Sequence, residues 1–203
     1  MRSGCFLLLC CFSLFLIGIQ PCHGRKVDRQ PQNIQPRIVG GTDARRNEFP
    51  YFVQMGFCGG TLIAPGVVLT AAHCREILMP GNYVTINPLE IKDMQKTRLK
   101  IVERNFHPAY NDDWGSHDFC LVRLEEPIYL NPEGPVQLII NEDYNFPPEE
   151  LTMTVIGFGL LEEGSDSFPK ILQKVDLETI DLDVCNRTLD GDILDDCMFC
   201  AGT

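Results

Sequence analysis

Beyond residue 37 the chain sets short apolar runs between glycine, proline and asparagine. The runs are "YFVQMGF" at 51–57, "GTLI" at 60–63, "GVVLT" at 66–70, "YVTI" at 83–86, "TRLKIV" at 97–102, "FCLVRL" at 119–124, "LTMTVIGFG" at 151–159 and "LQKVDLETI" at 172–180. Thr97, Leu99 and Ile101 alternate with Arg98 and Lys100, the two-residue period of a strand with one buried face. Many short strands parted by turn residues predict an all-β barrel or sandwich. A single stretch, Asp181 to Leu189, reads as a helix, with Asp183 as its cap before Val184 and Cys185. Residues 25–37, "RKVDRQPQNIQPR", carry no apolar period and predict an extended, exposed linker that proteases can reach.

The first 24 residues follow a different pattern. Arg2 precedes an apolar stretch from Cys5 to Ile19, and Cys22-His23-Gly24 closes it. That is the layout of a secretory signal peptide over residues 1–24, cut after Gly24, with an apolar core too short for a membrane span. A secreted, extracellular protein is expected, with no membrane span in the mature chain. The whole sequence of 203 residues is 44% apolar and 22% charged, which fits a folded domain rather than a disordered one.

Of ten cysteines, the leader holds Cys5, Cys10, Cys11 and Cys22, leaving Cys58, Cys74, Cys120, Cys185, Cys197 and Cys200. An even number in an exported chain predicts disulfides, and spacing alone does not choose among the pairings. Cys197-x-x-Cys200 has neither a second pair nor a nearby histidine to complete a zinc site, so no metal is expected. The net charge of −11, with every acidic residue but Asp28 beyond position 37, excludes nucleic acid as a partner and otherwise reads as solubility.

"VVLTAAHC" at 67–74 places an imidazole between small apolar residues and a cysteine at the end of a β-branched run. Nucleophilic hydrolysis needs a base for the hydroxyl proton, a carboxylate to hold that base in one tautomer, and donors for the oxyanion. His73 is the candidate base. His23, His107 and His117 read as ordinary structural histidines. Asp118, at the head of Phe119-Cys120-Leu121-Val122, would sit at the buried start of a strand, where a carboxylate needs a partner such as an imidazole N–H. Asp112 and Asp113 read as solvated turn acids.

Four segments in order resemble the trypsin/chymotrypsin-like serine endopeptidases: "RIVGG" at 37–41, "CGGTLIAPGVVLTAAHC" at 58–74, "HDFCLVRL" at 117–124, and "IGFGL" at 156–160 followed by "CMFCAG" at 197–202. The resemblance implies two antiparallel β-barrels, the second incomplete in this chain, with the site in the crevice between them. It implies His73 as general base and Asp118 as its orienting carboxylate. It further implies disulfides Cys58–Cys74 and Cys185–Cys200. Cys120 and Cys197 then either pair or stay apart, the favoured outcome being Cys120 as a small buried hydrophobe.

By the same resemblance, Arg37-Ile38 is an activation cleavage site, residues 25–37 are the activation propeptide and residues 38–203 the protease domain. Cutting there creates an ammonium at Ile38 that, once buried, requires a carboxylate. Protein or peptide substrates, an activating protease and protein inhibitors are the implied partners, and no cofactor is implied. Asn186-Arg187-Thr188 is a glycosylation sequon. Phe158 stands where the family usually has tryptophan, and Met153 where many members have a cysteine.

The family's nucleophile lies in a Gly-Asp-Ser-Gly-Gly-Pro segment shortly after "CAG", and residues 1–203 do not include it. Ser116, Ser165 and Ser167 sit in no glycine-rich turn that would present a nucleophile. The expectation is a C-terminally incomplete protease, inactive by itself. Two other readings stay open: a non-catalytic homologue acting as a secreted binding module, and an unrelated small β-rich interaction domain.

Overall fold

The computed structural model describes residues 5–8, 38, 40–95, 98–112, 115–129, 148–161, 167–188 and 198–202. In chain order the strands are β1 (Cys5–Leu8), β2 (Thr42–Asp43), β3 (Phe52–Met55), β4 (Cys58–Ala64), β5 (Val67–Thr70), β6 (Tyr83–Ile86), β7 (Arg98–Phe106), β8 (Cys120–Leu124), β9 (Thr152–Gly157), β10 (Gln173–Ile180) and β11 (Phe199–Gly202). Two 3₁₀ turns, Ala72–Cys74 and Ile91–Gln95, and one helix, α1 (Leu182–Thr188), complete the described elements.

Strands β3 to β8 form a closed antiparallel barrel in the order β3-β4-β5-β8-β7-β6, with β6 returning to β3. Closure removes the exposed edges that an open sheet of this length would present. Inside lie Val53, Met55, Leu62, Val68, Val84, Ile101 and Val122, with Leu78 plugging one end. Each such side chain taken from water contributes about 1.5–3 kcal/mol toward the barrel. The close approach of β4 to β5 requires glycine at position 60. A Cβ there would lie 2.8 Å from Met55 Cε and Val68 Cγ1 and 2.9 Å from the Leu69 carbonyl.

The second sheet runs β1-β11-β10-β2, with β9 also paired to β10. β9 and β10 make six register pairs, from Gln173 opposite Gly157 to Glu178 opposite Thr152. The apolar N-terminal stretch contributes β1, antiparallel to β11. A second, smaller core joins barrel to sheet: Ala44, Phe52 and Leu172 are buried together, with Phe49, Leu89, Ile156 and Phe158 against them. Backbone bonds reinforce the joint, Ala44 N–H to Leu172 O and Leu172 N–H to Leu89 O at 2.8 and 2.7 Å. Phe158 fills its position with aromatic bulk, its ring centroid 6.2 Å from that of Phe52.

The all-β expectation holds, and two local expectations are corrected. The helix is capped by Asp181, whose Oδ1 accepts the Val184 N–H at 2.7 Å. Asp183 lies two residues further in, already inside the first turn, and is a first-turn acid. His73 stands on the 3₁₀ turn after β5 and not on the strand itself. Among the described residues no helix is long and apolar enough to cross a membrane.

Candidate active site

β5 and β8 are barrel neighbours, and their last register pair is Thr70 opposite Cys120. His73 comes three residues after Thr70 and Asp118 two before Cys120, so both leave the barrel at the same end of one strand pair. The 3₁₀ turn then swings the imidazole back over the gap. His73 Nδ1 meets Asp118 Oδ2 at 2.6 Å, and the His73 backbone N–H donates to Asp118 Oδ1 at 2.8 Å. Both carboxylate oxygens are thus committed to one residue.

Burial separates the pair's roles. The Asp118 side chain is 3% exposed and that of His73 59%. A carboxylate only accepts, so the shared proton of neutral His73 sits on Nδ1 and the lone pair on Nε2. The hydrogen bond that His73 donates to Asp118 raises the His73 pKa, partial burial opposes it, and the charges of Asp118 and Asp112 add to the rise. The arrangement can take a proton on Nε2 and stabilise the resulting imidazolium.

Asp118 is delivered by a loop with a defined neck. His117 adopts a left-handed φ of +52°, its carbonyl accepts the Phe119 N–H at 2.8 Å, and the His107 N–H donates to the Phe119 carbonyl at 3.1 Å. The His107 and His117 rings stack at 4.7 Å, and Phe119 lies 4.5 Å from His107. Burial and the neighbouring His117 lower the His107 pKa. These two histidines therefore pack at the neck of the loop, apart from the dyad.

Cys58–Cys74 and Cys185–Cys200 are disulfides, closing separations of 16 and 15 residues. Each is worth about 3 kcal/mol by loop-closure entropy. The first ties the His73 turn to β4, and the second ties α1 to β11. Cys120 is free and fully buried, and burial pushes its thiol up to about 11. His73 and the sulfurs of Cys58 and Cys74 cluster within 4.8 Å, but sulfurs joined to each other offer no thiolate to a metal.

Ile38 is buried, and its backbone N–H donates to the Leu160 carbonyl at 2.7 Å. Arg37, Cys197, Ser165, Asp113 and His23 lie outside the described residues. Asn186 is half-buried on α1. Sequence reasoning missed Arg75, Tyr110 and Asp112 beside the dyad. Arg75 Nη2 donates to Asp112 Oδ2, and the Tyr110 hydroxyl donates to Asp112 Oδ1 at 2.6 Å. Arg75 and Asp112 are 37 positions apart, so no sequence spacing announces the contact.

Comparison with known proteins agrees with this geometry. The family model described as Trypsin matches residues 38–203. A trypsin of Saccharopolyspora erythraea is 31% identical over 172 residues, covering 81% of this chain and 73% of that protein. Coagulation factor IX of Cavia porcellus is 31% identical over 179 residues, covering 82% and 61%. The rat protein transmembrane protease serine 9 is 31% identical over 175 residues, and there the match spans only 16% of the relative's length. Among solved structures, mouse neuropsin, a serine protease expressed in the limbic system, superposes with a TM-score of 0.69 at 26% identity, covering 82% of this chain and 75% of that one. A barrel that brings a histidine and a buried aspartate together across one strand pair, and a family match over residues 38–203, lead to one conclusion: the chain belongs to the trypsin family of serine proteases.

Proposed function

We propose that residues 1–203 belong to the secreted zymogen of a serine endopeptidase. In this proposal residues 1–24 are the leader, whose removal takes β1 from the edge of β11, 25–37 are the activation peptide and 38–203 belong to the protease domain, with Asn186 as a glycosylation site. The observation that carries it is the 2.6 Å contact between His73 Nδ1 and the buried Asp118, which leaves Nε2 on the exposed side of the ring. A binding module has no need of such a pair.

In this scheme the nucleophile is the serine of the family's Gly-Asp-Ser-Gly-Gly-Pro segment, which residues 1–203 do not include. As its Oγ bonds to the scissile carbonyl carbon, its proton passes to His73 Nε2, and Asp118 holds Nδ1–H and stabilises the imidazolium. When the C–N bond breaks, His73 returns that proton to the departing amine, leaving an acyl-enzyme. Water then attacks through the same base and releases the acid. Protein substrates, an activating protease cutting after Arg37 and protein inhibitors are the partners of this scheme.

Residues 1–203 alone are expected to hydrolyse nothing, since removing one member of such a triad costs on the order of a millionfold. The test is to express residues 1–203 and the continuation of the natural message through the serine segment, cleave both after Arg37, and assay peptide hydrolysis with a serine-directed phosphonate probe alongside. Turnover and labelling by the longer form, lost in His73→Ala, support the proposal. A message without a serine segment, or a longer form as active with His73→Ala as without it, overturns it.

A further inference from the structure

We propose that Asp112 is a positioning residue for His73: pinned by Arg75 and Tyr110, it joins the His73 turn to the loop that delivers Asp118 and holds a second carboxylate on that side of the site without competing for the imidazole N–H. The inference rests on the assignment of His73 as the base, and it concerns residues that this assignment leaves without a task.

Geometry gives the first support. Arg75 follows the 3₁₀ turn of His73, whereas Tyr110 and Asp112 belong to the loop between β7 and β8 that delivers Asp118. The Arg75–Asp112 contact therefore joins the two backbone segments whose separation fixes the dyad distance. Arg104, on β7, donates from Nη1 to the Arg75 carbonyl and holds the segment from below. One residue on, Asn111 N–H donates to the Ser116 carbonyl at 3.2 Å and closes the loop.

Both oxygens of Asp112 are occupied, Oδ2 by Arg75 and Oδ1 by Tyr110. An acid so bound cannot swing in to take the imidazole N–H from Asp118. It still acts on the ring through space, and its charge favours protonated His73. The hydrogen bond from Tyr110 and the bond and charge of Arg75 hold the Asp112 carboxyl below the usual carboxylate range, so it stays ionised while His73 titrates. Burial and that same hydrogen bond push the Tyr110 hydroxyl up, keeping it a donor. Among the described residues the charged groups that act on the ring are Asp118 and Asp112, both from the loop, with Arg75 and Tyr110 in contact with Asp112 and His107 and His117 stacked on each other in the loop neck.

Exposure supplies the discriminating measurement. The Arg75 and Asp112 side chains are 52% and 49% exposed, against 3% for Asp118. Exposed charges are screened by salt far more than buried ones, with a screening length of roughly 3 Å at 1 M ionic strength. As a fold-stabilising ion pair this contact would count for little. As a charge beside the ring it has a readable effect.

The experiment follows the His73 ring by NMR across pH in the full chain, labelled at histidine, for the unmutated protein and for Asp112→Asn, Asp112→Glu, Arg75→Gln and Asp118→Asn. The expected result is a lower His73 midpoint in Asp112→Asn, restoration in Asp112→Glu, and a higher midpoint in Arg75→Gln, where the carboxylate loses its opposing cation. A clasp of merely structural value would move Asp112→Asn and Arg75→Gln in the same direction, which overturns the inference. In 1 M salt the Asp112→Asn difference should vanish and the Asp118→Asn difference persist. An unchanged midpoint in Asp112→Asn at low salt also overturns it. If Asp118→Asn leaves His73 unmoved, the assignment of the dyad itself fails, a separate outcome.

Discussion

At the scale of single residues the two kinds of histidine respond to pH with opposite signs. His73 has its pKa raised by Asp118, so the stability it contributes is fully present below the unfolded value near 6.5 and is lost as pH rises through the folded value. His107 has its pKa lowered by burial, so its contribution is present above the unfolded value and lost as pH falls through the folded one. The two act on opposite sides of that unfolded value and together place the stability maximum near it. The expected outcome is a stability that falls on both sides of about pH 6.5, with the fall on the acid side reduced and that on the alkaline side kept once His107 is replaced by a non-titrating residue; urea titrations at several pH values check this. Cys120 gives a second prediction. Fully buried, with its thiol raised to about 11, it should resist alkylation at pH 8 in the native protein and react fully in denaturant, as mass spectrometry would show.

Among the elements, legibility followed pattern length. The apolar runs at 51–57, 60–63, 66–70, 83–86, 97–102, 119–124, 151–159 and 172–180 all contain strands of the structure, because each has enough residues to show which face is buried. β2 is two residues long and exists only because Thr42 and Asp43 meet Lys174 and Gln173. The turn under His73 has three residues, below any helical period, and a strand reading extended through it. The helix was legible, but its cap was not, since Asp181 and Asp183 are equally good acceptors and only backbone geometry chooses. The dyad was legible through its motif, whereas the Arg75–Asp112–Tyr110 contacts depend on how two loops meet. A test at this scale is Gly60→Ala: its methyl would press on the Leu69 carbonyl, which has no side-chain freedom, as well as on Met55 and Val68. A loss of about 1–3 kcal/mol is expected by denaturant titration.

For the molecule as a whole, the joint between barrel and second sheet matters most. It consists of a few residues, Ala44, Phe52 and Leu172 with Phe49, Leu89, Ile156 and Phe158, backed by backbone bonds from Leu172 to both sides. Leu172→Ala should destabilise by about 2–5 kcal/mol. Because that side chain sits in the small core that joins barrel and sheet, unfolding should also separate into two transitions, which fluorescence and far-ultraviolet dichroism together would resolve. A single sharp transition in the variant would mean that the backbone bonds alone couple the halves.

The rung pairing Thr70 with Cys120 has a consequence for how this architecture tolerates change. His73 and Asp118 are 45 positions apart, yet their meeting depends on the three steps from Thr70 and the two steps to Cys120. Residues inserted in the 87–97 connection lengthen an excursion that begins and ends on the barrel and leave that rung in place. A single residue added at 71 or 119 shifts one partner past the other. Evolution and protein engineers alike are free to rebuild that connection, while two short spans of backbone must keep their length.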